Sequence, residues 1–375
     1  MQSYWQPEAT GEIQIPVARP RLPRSEAITP YLRRIDASGW YSNGGPLVQE
    51  LETRLASHCG GGGARAATVG NATVGLTISL LAYDLPQGAS CMVPSWTFAA
   101  TGHAVLLAGL RPWIVDVDPF TWALEPESAR ALLAEAPGKV AAVVPVSPFG
   151  APLDPARWLA FRDETGISVV LDAAAAFDSV RASQLPAVVS LHATKVLGIG
   201  EGGFVVSTDA AYVEEVQKRA NFGFWNSREA TAPSMNAKIS EYAAAVGLAA
   251  LDDWTTTRTD FARVARAYRR HLEHAPDFVV PVGMGEEWVS STMVIESRAE
   301  TADCLAEKLA AAHVGTRRWW GGGLHEHRAF ADCLRTATPA TEQLARTTIG
   351  LPCWRDLPDA EIGRICEMTI GATRS

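Results

Sequence analysis

The chain of 375 residues predicts an α/β fold: a large domain with a mostly parallel central sheet, followed by a smaller α+β domain. Three observations carry that reading. Near-continuous Val/Ile/Leu runs alternate with helical patterns from Cys91 to Leu171, as expected for strands buried on both faces. The length exceeds one small core and suits a large unit plus a smaller one. Near Pro276 the pattern changes to shorter strands and separated helices.

Composition narrows the function classes. Residues are 47% hydrophobic and 20% charged, which is globular rather than disordered or fibrous. A formal net charge of −8 argues against a nucleic-acid surface, which needs basic groups to displace counterions. The start, Met1 to Pro7, lacks a basic segment followed by an apolar block, and apolar runs such as Val140 to Val146 are too short to cross a bilayer. Cys59, Cys91, Cys304, Cys333, Cys353 and Cys366 show neither CxxC nor tight histidine spacing, favouring reduced thiols over disulfides or a metal site. A cytoplasmic protein without a metal, membrane or nucleic-acid partner is the expectation.

Taken in order, residues 1 to about 30 are proline-rich, and Pro16, Pro20, Pro23 and Pro30 exclude a long helix there. The loop Gly39-Trp40-Tyr41-Ser42-Asn43-Gly44-Gly45-Pro46 either caps the domain or contacts a ligand through its aromatics. A helix follows Pro46 with Val48, Leu51, Leu55 and Ala56 at helical spacing. Gly60 to Gly63 lacks both dinucleotide and P-loop spacing and reads as a connection. At Ala66 to Thr73 a short strand enters a helix whose start is either an anion site or ordinary capping by Thr73. Strands at Cys91–Pro94, Pro112–Val117, Val140–Val146 and Ile167–Leu171 alternate with helices at Ala100–Leu107, Ser128–Leu133 and Pro155–Glu164. After Lys195 come strand Phe204–Val206, a surface helix Tyr212–Arg219, a polar segment Asn221–Asn236 and a helix capped by Ser240. A longer helix through Phe261 and Leu272 links to strands at Phe278–Pro281, Trp288–Ile295 and Trp319–Trp320, a helix at Ala302–Ala312, and a last one from Asp359. The division falls as 1–255, a large domain with an N-terminal arm, and 256–375, the smaller one.

Ligands in such sheets bind beyond the carboxyl ends of the strands, where Ser95 to Phe98, Ser147 to Phe149, Asp172 and Ser190 to Lys195 fall. Lysine is scarce: besides Lys195 there are Lys139, Lys218, Lys238 and Lys308. A desolvated lysine can lose its proton and condense with a carbonyl, which a guanidinium cannot; a lysine snorkelling from a strand end is the equally open alternative. Asp172 follows a buried strand and precedes four alanines, so either a protein donor reaches it or a cationic ligand sits beside it. An amine, a carboxylate, an anion site and an aromatic pair at a strand end are together the parts that pyridoxal phosphate (PLP) requires.

The chain resembles the DegT/DnrJ/EryC1/StrS aminotransferases over nearly its full length. Trp40 to Pro46 is similar to the family's opening loop, and Asn71-Ala72-Thr73-Val74-Gly75-Leu76 to its phosphate turn. Pro94-Ser95-Trp96-Thr97-Phe98-Ala99-Ala100-Thr101 is similar to the stretch whose aromatic stacks on the cofactor ring. Leu171-Asp172-Ala173-Ala174-Ala175 resembles Glu-Asp-Ala-Ala-Gln/His, Ser190 to Lys195 the lysine motif, and Asn236 to Glu241 an Asn-x-Arg/Lys-Met-Ser-Glu segment. The resemblance implies a fold-type-I PLP enzyme. Ala72, Thr73 and Ser190 would hold the phosphate, Phe98 would stack, Asp172 would meet the ring nitrogen, and Lys195 would form the internal aldimine and act as acid and base. Asn236 would reach a neighbouring subunit's cofactor, implying a homodimer with shared sites; Tyr41 and His325 would face substrate. The implied reaction aminates a nucleotide-linked keto-deoxysugar with glutamate or glutamine. Departures are Ala175 for Gln or His, Ala72 for glycine, Leu171 for glutamate, and Arg317-Arg318-Trp319-Trp320-Gly321-Gly322-Gly323-Leu324-His325 for Arg-Arg-Tyr-Phe-x-Pro-Gly-x-His. They leave open a non-transaminase PLP enzyme of the synthase or cyclase type, and a degenerate binding or regulatory member.

Overall fold

A computed structural model describes residues 14–60 and 62–372; the start at Met1 to Pro7, the glycine Gly61 and the last three residues lie outside the described residues. Helices α1 (Ser25–Ser38) and α2 (Pro46–Gly60) precede strand β1 (Arg65–Val69). Strand and helix then alternate: α3 (Ala72–Leu81), β2 (Ser90–Pro94), α4 (Ala99–Leu107), β3 (Arg111–Val115), α5 (Pro126–Leu132), β4 (Val140–Val143) and α6 (Pro155–Thr165). Short strands β5 (Ser168–Val169) and β6 (Leu171–Asp172) are followed by β7 (Ala187–Ser190), β8 (Gly203–Ser207) and α7 (Ala210–Arg219). Then come α8 (Glu241–Asp252), α9 (Trp254–Leu272), β9 (Phe278–Val279), β10 (Met293–Ser297) and α10 (Ala302–Ala311). Strand β11 (Leu334–Arg335), α11 (Pro339–Thr347), β12 (Thr348–Leu351) and α12 (Asp359–Ala372) close the described chain.

Strands run in the orders β11-β3-β2-β4-β5 and β6-β7-β8-β1. A parallel bridge between Val146 and Asp172 joins the two rows, with Asp172 N–H donating to Pro145 O at 2.9 Å and Ser147 N–H to Asp172 O at 2.9 Å. Every pairing is parallel except those of β8, which is antiparallel to β1 and to β7. The fold is α/β with a mostly parallel sheet, as the alternating runs predict. Residue alternation explains why those runs are apolar throughout: Met92, Val143, Val169, Val189 and Val206 pack in one core with α2, α6, α8 and α9. Their neighbours Val93, Ala142, Val170, Val188 and Val205 pack in another with α3, α4 and α7. Beyond α9, β12-β10-β9 form a separate antiparallel sheet, while β11 returns to the edge of the large one beside β3.

Several expectations need correcting. The proline-rich start does contain a helix: α1 carries Pro30 inside it. Pro30 and Glu26, whose carbonyl lacks its helical donor, are both exposed, and buried Ile35 and the Tyr31 hydroxyl, which donates to Asp252 at 2.6 Å, fasten the helix. No strand forms at Trp319–Trp320; a glycine-rich turn stands there, closed by Gly323 N–H on Trp320 O at 3.0 Å. Helix α7 is not a plain surface helix, since Tyr212, Val213, Val216 and Arg219 are buried. The Ser240 cap stands, its hydroxyl accepting from Ala243 N–H at 3.1 Å. Among the described residues no helix is long and apolar enough to cross a membrane, and no group of His, Cys, Asp and Glu has the arrangement of a metal site.

Candidate active site

Asp172 ends β6 at the centre of the large sheet and is only 5% exposed. Its Oδ2 accepts from the Thr101 hydroxyl at 2.7 Å and its Oδ1 from Ala174 N–H at 3.1 Å. Burial nevertheless pushes its carboxyl pKa up, opposed by Thr101, the Ala174 amide and the Lys195 charge. The choice posed by the sequence is therefore answered in part: a protein donor does reach in.

Lys195 lies in a compact turn after β7, closed by Lys195 N–H on His192 O at 2.9 Å and by Ala193 N–H on Gly200 O at 2.8 Å. Gly198 is needed because a β-carbon there would lie 2.8 Å from Ala193 O. Burial pulls the Lys195 amine pKa down, and only the negative charge of Asp172 opposes it. Asp172, at the end of β6, and Lys195, in the turn after the neighbouring strand β7, therefore lie within reach of each other's charge. Ser190, at the end of β7, is buried and its hydroxyl accepts from His192 N–H at 3.2 Å.

At the start of α3 the cap is Asn71, whose side chain accepts from Val74 N–H at 2.9 Å, so Thr73 is not the cap. Ala72 and Thr73 occupy the first turn, where backbone N–H groups have no helical acceptor. Gly203 lets β8 press against this turn: an added β-carbon would come within 2.9 Å of Ala72 N and of Val189 O. Phe98 precedes α4 and is 61% exposed, leaving its ring face open beside the end of β2.

The remaining residues singled out by the sequence fall in two places. Tyr41 is half exposed and stacks with Tyr242, centroids 6.3 Å apart, while its carbonyl accepts from Glu241 N–H at 3.0 Å. Buried Glu241 accepts from Leu47 and Val48 N–H at 2.8 and 2.9 Å, tying the opening loop to the Asn236 segment. Asn236 is exposed and accepts from Lys238 Nζ at 2.7 Å; the adjacent Ala237 carbonyl accepts from Gly70 N–H at 2.6 Å, beside the α3 turn. His325 is buried, its Nδ1 2.6 Å from Ser95 Oγ and its Nε2 3.3 Å from both Thr338 Oγ1 and Glu326 Oε1. Its ring fastens the C-terminal loop to the end of β2.

Four arrangements become visible only in the structure. Thr97 and Thr101 are both buried, and their hydroxyls lie 2.8 Å apart. The signal was a pair of hydroxyls flanking Phe98. Trp320 stacks on Phe149 with centroids 4.0 Å apart, and Trp96 meets Trp320 edge-on at 5.3 Å, forming an aromatic wall from three loops. Phe149 has a φ of 52°, and Gly150 beside it a φ of 101° with room for no β-carbon, since that atom would sit 2.7 Å from Ala175 O. Last, Arg19 and Arg21 line a narrow crevice together with Lys195, Phe261 and Trp354. Arg19 lies over the Trp354 ring at 5.3 Å, held there because Cys353 N–H donates to Val17 O at 3.0 Å.

A mostly parallel sheet with a lysine turn and an acid at its carboxyl ends defines the class of fold-type-I PLP enzymes. Within that class, the chain belongs to the DegT/DnrJ/EryC1/StrS aminotransferase family, whose model matches residues 24–369. The erythromycin biosynthesis sensory transduction protein EryC1 of Saccharopolyspora erythraea is 33% identical over 85% of this chain and 88% of its own. The dTDP-4-amino-4,6-dideoxy-D-glucose transaminase of Escherichia coli is 25% identical over 95% of this chain and 98% of its own. The match to Protein Rv3402c of Mycobacterium tuberculosis, 32% identical, spans 70% of this chain and 66% of that protein. Among solved structures, DesI, crystallised in the presence of its TDP-sugar product, superposes with a TM-score of 0.86 at 32% identity, covering 98% of this chain and 95% of DesI.

The family uses PLP, and the residues present fit it. Asp172 keeps lone pairs beyond its two donors for a ring N–H, Lys195 offers an amine that burial favours as neutral, the α3 turn and Ser190 offer phosphate donors, and Phe98 an open ring face.

Proposed function

We propose that this protein transfers the amino group of glutamate or glutamine to a keto-deoxysugar carried on a nucleotide, working as a homodimer with shared sites. The observation that carries it is the placement of buried Asp172 at the end of β6 and of Lys195 in the turn after its parallel neighbour β7. PLP, when bound, supplies an aldehyde that condenses with amines and a ring that accepts the electron pair released at a neighbouring carbon. Lys195 would hold the cofactor through Nζ, and its amine would serve as the group that moves a proton at the substrate carbon. Burial suits both tasks, since a neutral amine is the nucleophile and the base. Asp172 would meet the ring nitrogen and favour its protonated form, which would strengthen electron withdrawal. Ser190 and the Ala72 and Thr73 amides would orient the phosphate, and Phe98 would cover one ring face. Tyr41 and His325 border the substrate side in this reading, and Asn236 reaches toward the partner's site.

Two supports concern the substrate. Relatives include a dTDP-aminodeoxyglucose transaminase and DesI with its TDP-sugar product. Arg19 and Arg21 bring positive charge to the crevice that Lys195 lines, which suits an anionic donor or a diphosphate. The test is a panel of nucleotide-linked keto sugars incubated with PLP-loaded protein and glutamate or glutamine. Formation of an amino sugar supports the proposal; cofactor turnover by an amino acid with no keto sugar accepted removes the sugar assignment.

A further inference from the structure

Building on the reading of Asp172 as the ring-nitrogen partner, we propose that Thr101, backed by Thr97, is a positioning residue that keeps the Asp172 carboxylate ionised and aimed at a cationic ring. The geometry fixes the direction of the hydrogen bonds. Thr101 spends its single proton on Asp172 Oδ2 at 2.7 Å, so the Thr97 hydroxyl, 2.8 Å away, donates to the Thr101 oxygen. The result is a two-hydroxyl relay ending on the carboxylate. Both threonines are about 1% exposed, so no water competes for the chain. The relay is also anchored at both ends: Thr97 N–H donates to Ser95 O at 3.1 Å and Thr101 N–H to Phe98 O at 3.2 Å. Because these two residues straddle Phe98, the turn that presents the ring-stacking side chain also orients the acid. Successive hydroxyls polarise one another, so the terminal bond is stronger than an isolated one.

A packing role alone does not account for the arrangement. Valine would fill the Thr101 site equally well, but would leave Oδ2 without its donor in a buried place. Losing a hydrogen bond to a buried anion favours the protonated acid, moving its titration upward by about one to two pH units. A more basic Asp172 also draws the proton away from the ring nitrogen.

The test uses the full-length protein and measures PLP affinity and the rate of amine transfer from the donor across pH. Wild type should lose affinity on the acid side as Asp172 protonates. In Thr101→Val that acid limb should lie about one unit or more higher, with roughly tenfold weaker PLP retention near neutrality. Thr101→Ser should restore both, and Thr97→Val should give a smaller displacement in the same direction. A Thr101→Val protein that retains PLP with an unmoved acid limb overturns the proposal. If Thr101→Val does not fold, Thr97→Val decides alone, and an unmoved limb there is equally fatal. Failure of wild type to bind PLP, or binding indifferent to Asp172→Asn, would instead defeat the assignment of Asp172 itself.

Discussion

Asp172→Asn separates the acid's charge from its shape. The amide leaves one acceptor oxygen for two donors, the Thr101 hydroxyl at 2.7 Å and Ala174 N–H at 3.1 Å, so one hydrogen bond, about 1 kcal/mol, is lost from the fold. Removing a buried charge acts the other way. Burial raises the folded pKa above the ordinary 3.8, so the acid favours the fold below that value and loses this contribution as pH rises through the folded pKa. At neutral pH the two effects oppose, and Tm of the cofactor-free variant should move by only about 2 °C. Its stability gap to wild type should turn further against the variant as pH falls toward 4. Cofactor binding should respond far more, because a charge-assisted hydrogen bond to the ring nitrogen, about 1.5–3 kcal/mol, disappears and affinity falls by roughly tenfold to over a hundredfold. Fluorescence titration with PLP, alongside thermal melts of the cofactor-free proteins, measures both. Wild-type affinity in a stably folded Asp172→Asn protein would refute the assignment.

Three further outcomes follow from the same geometry. Burial lowers the Lys195 amine, so the rate of PLP capture, which requires the neutral amine, should rise with pH and level off below the ordinary 10.5; a rise continuing past that value in stopped-flow traces would contradict the buried amine. Gly203→Ala forces a β-carbon to 2.9 Å from Ala72 N, so PLP affinity should fall severalfold while the affinity for pyridoxal without phosphate stays nearly constant. Arg19→Ala removes a guanidinium from the Lys195 crevice without touching the sheet, and should raise KM for the anionic donor or the sugar nucleotide severalfold with kcat little changed.

The parts of the fold that were legible in the sequence are those where one requirement dominates. Strands β2, β4 and β7 had to be apolar on both faces, and their runs stand out because two cores take alternate residues. Helix α1 is hidden by Pro30, which a helix tolerates where the proline and Glu26 one turn before it are exposed. The Trp319–Trp320 pair looked strand-like through its aromatics, but three following glycines and packing on Phe149 make it a turn. In the site, Lys195 and Asp172 were visible because an amine and an acid at strand ends are chemically conspicuous. Thr101 was not, since a threonine in a helix carries no mark of its partner 71 positions away. Arg19 was equally silent, as only the anchoring of the N-terminal segment along the C-terminal part brings it to the crevice.

The most direct measurement is the visible spectrum of the purified protein with PLP, recorded before and after adding glutamate or glutamine. The account expects an absorption band of lysine-bound cofactor, absent in Lys195→Ala, that the donor converts to the amine form of the cofactor. A band that persists in Lys195→Ala, or one that no amino acid discharges, would contradict it.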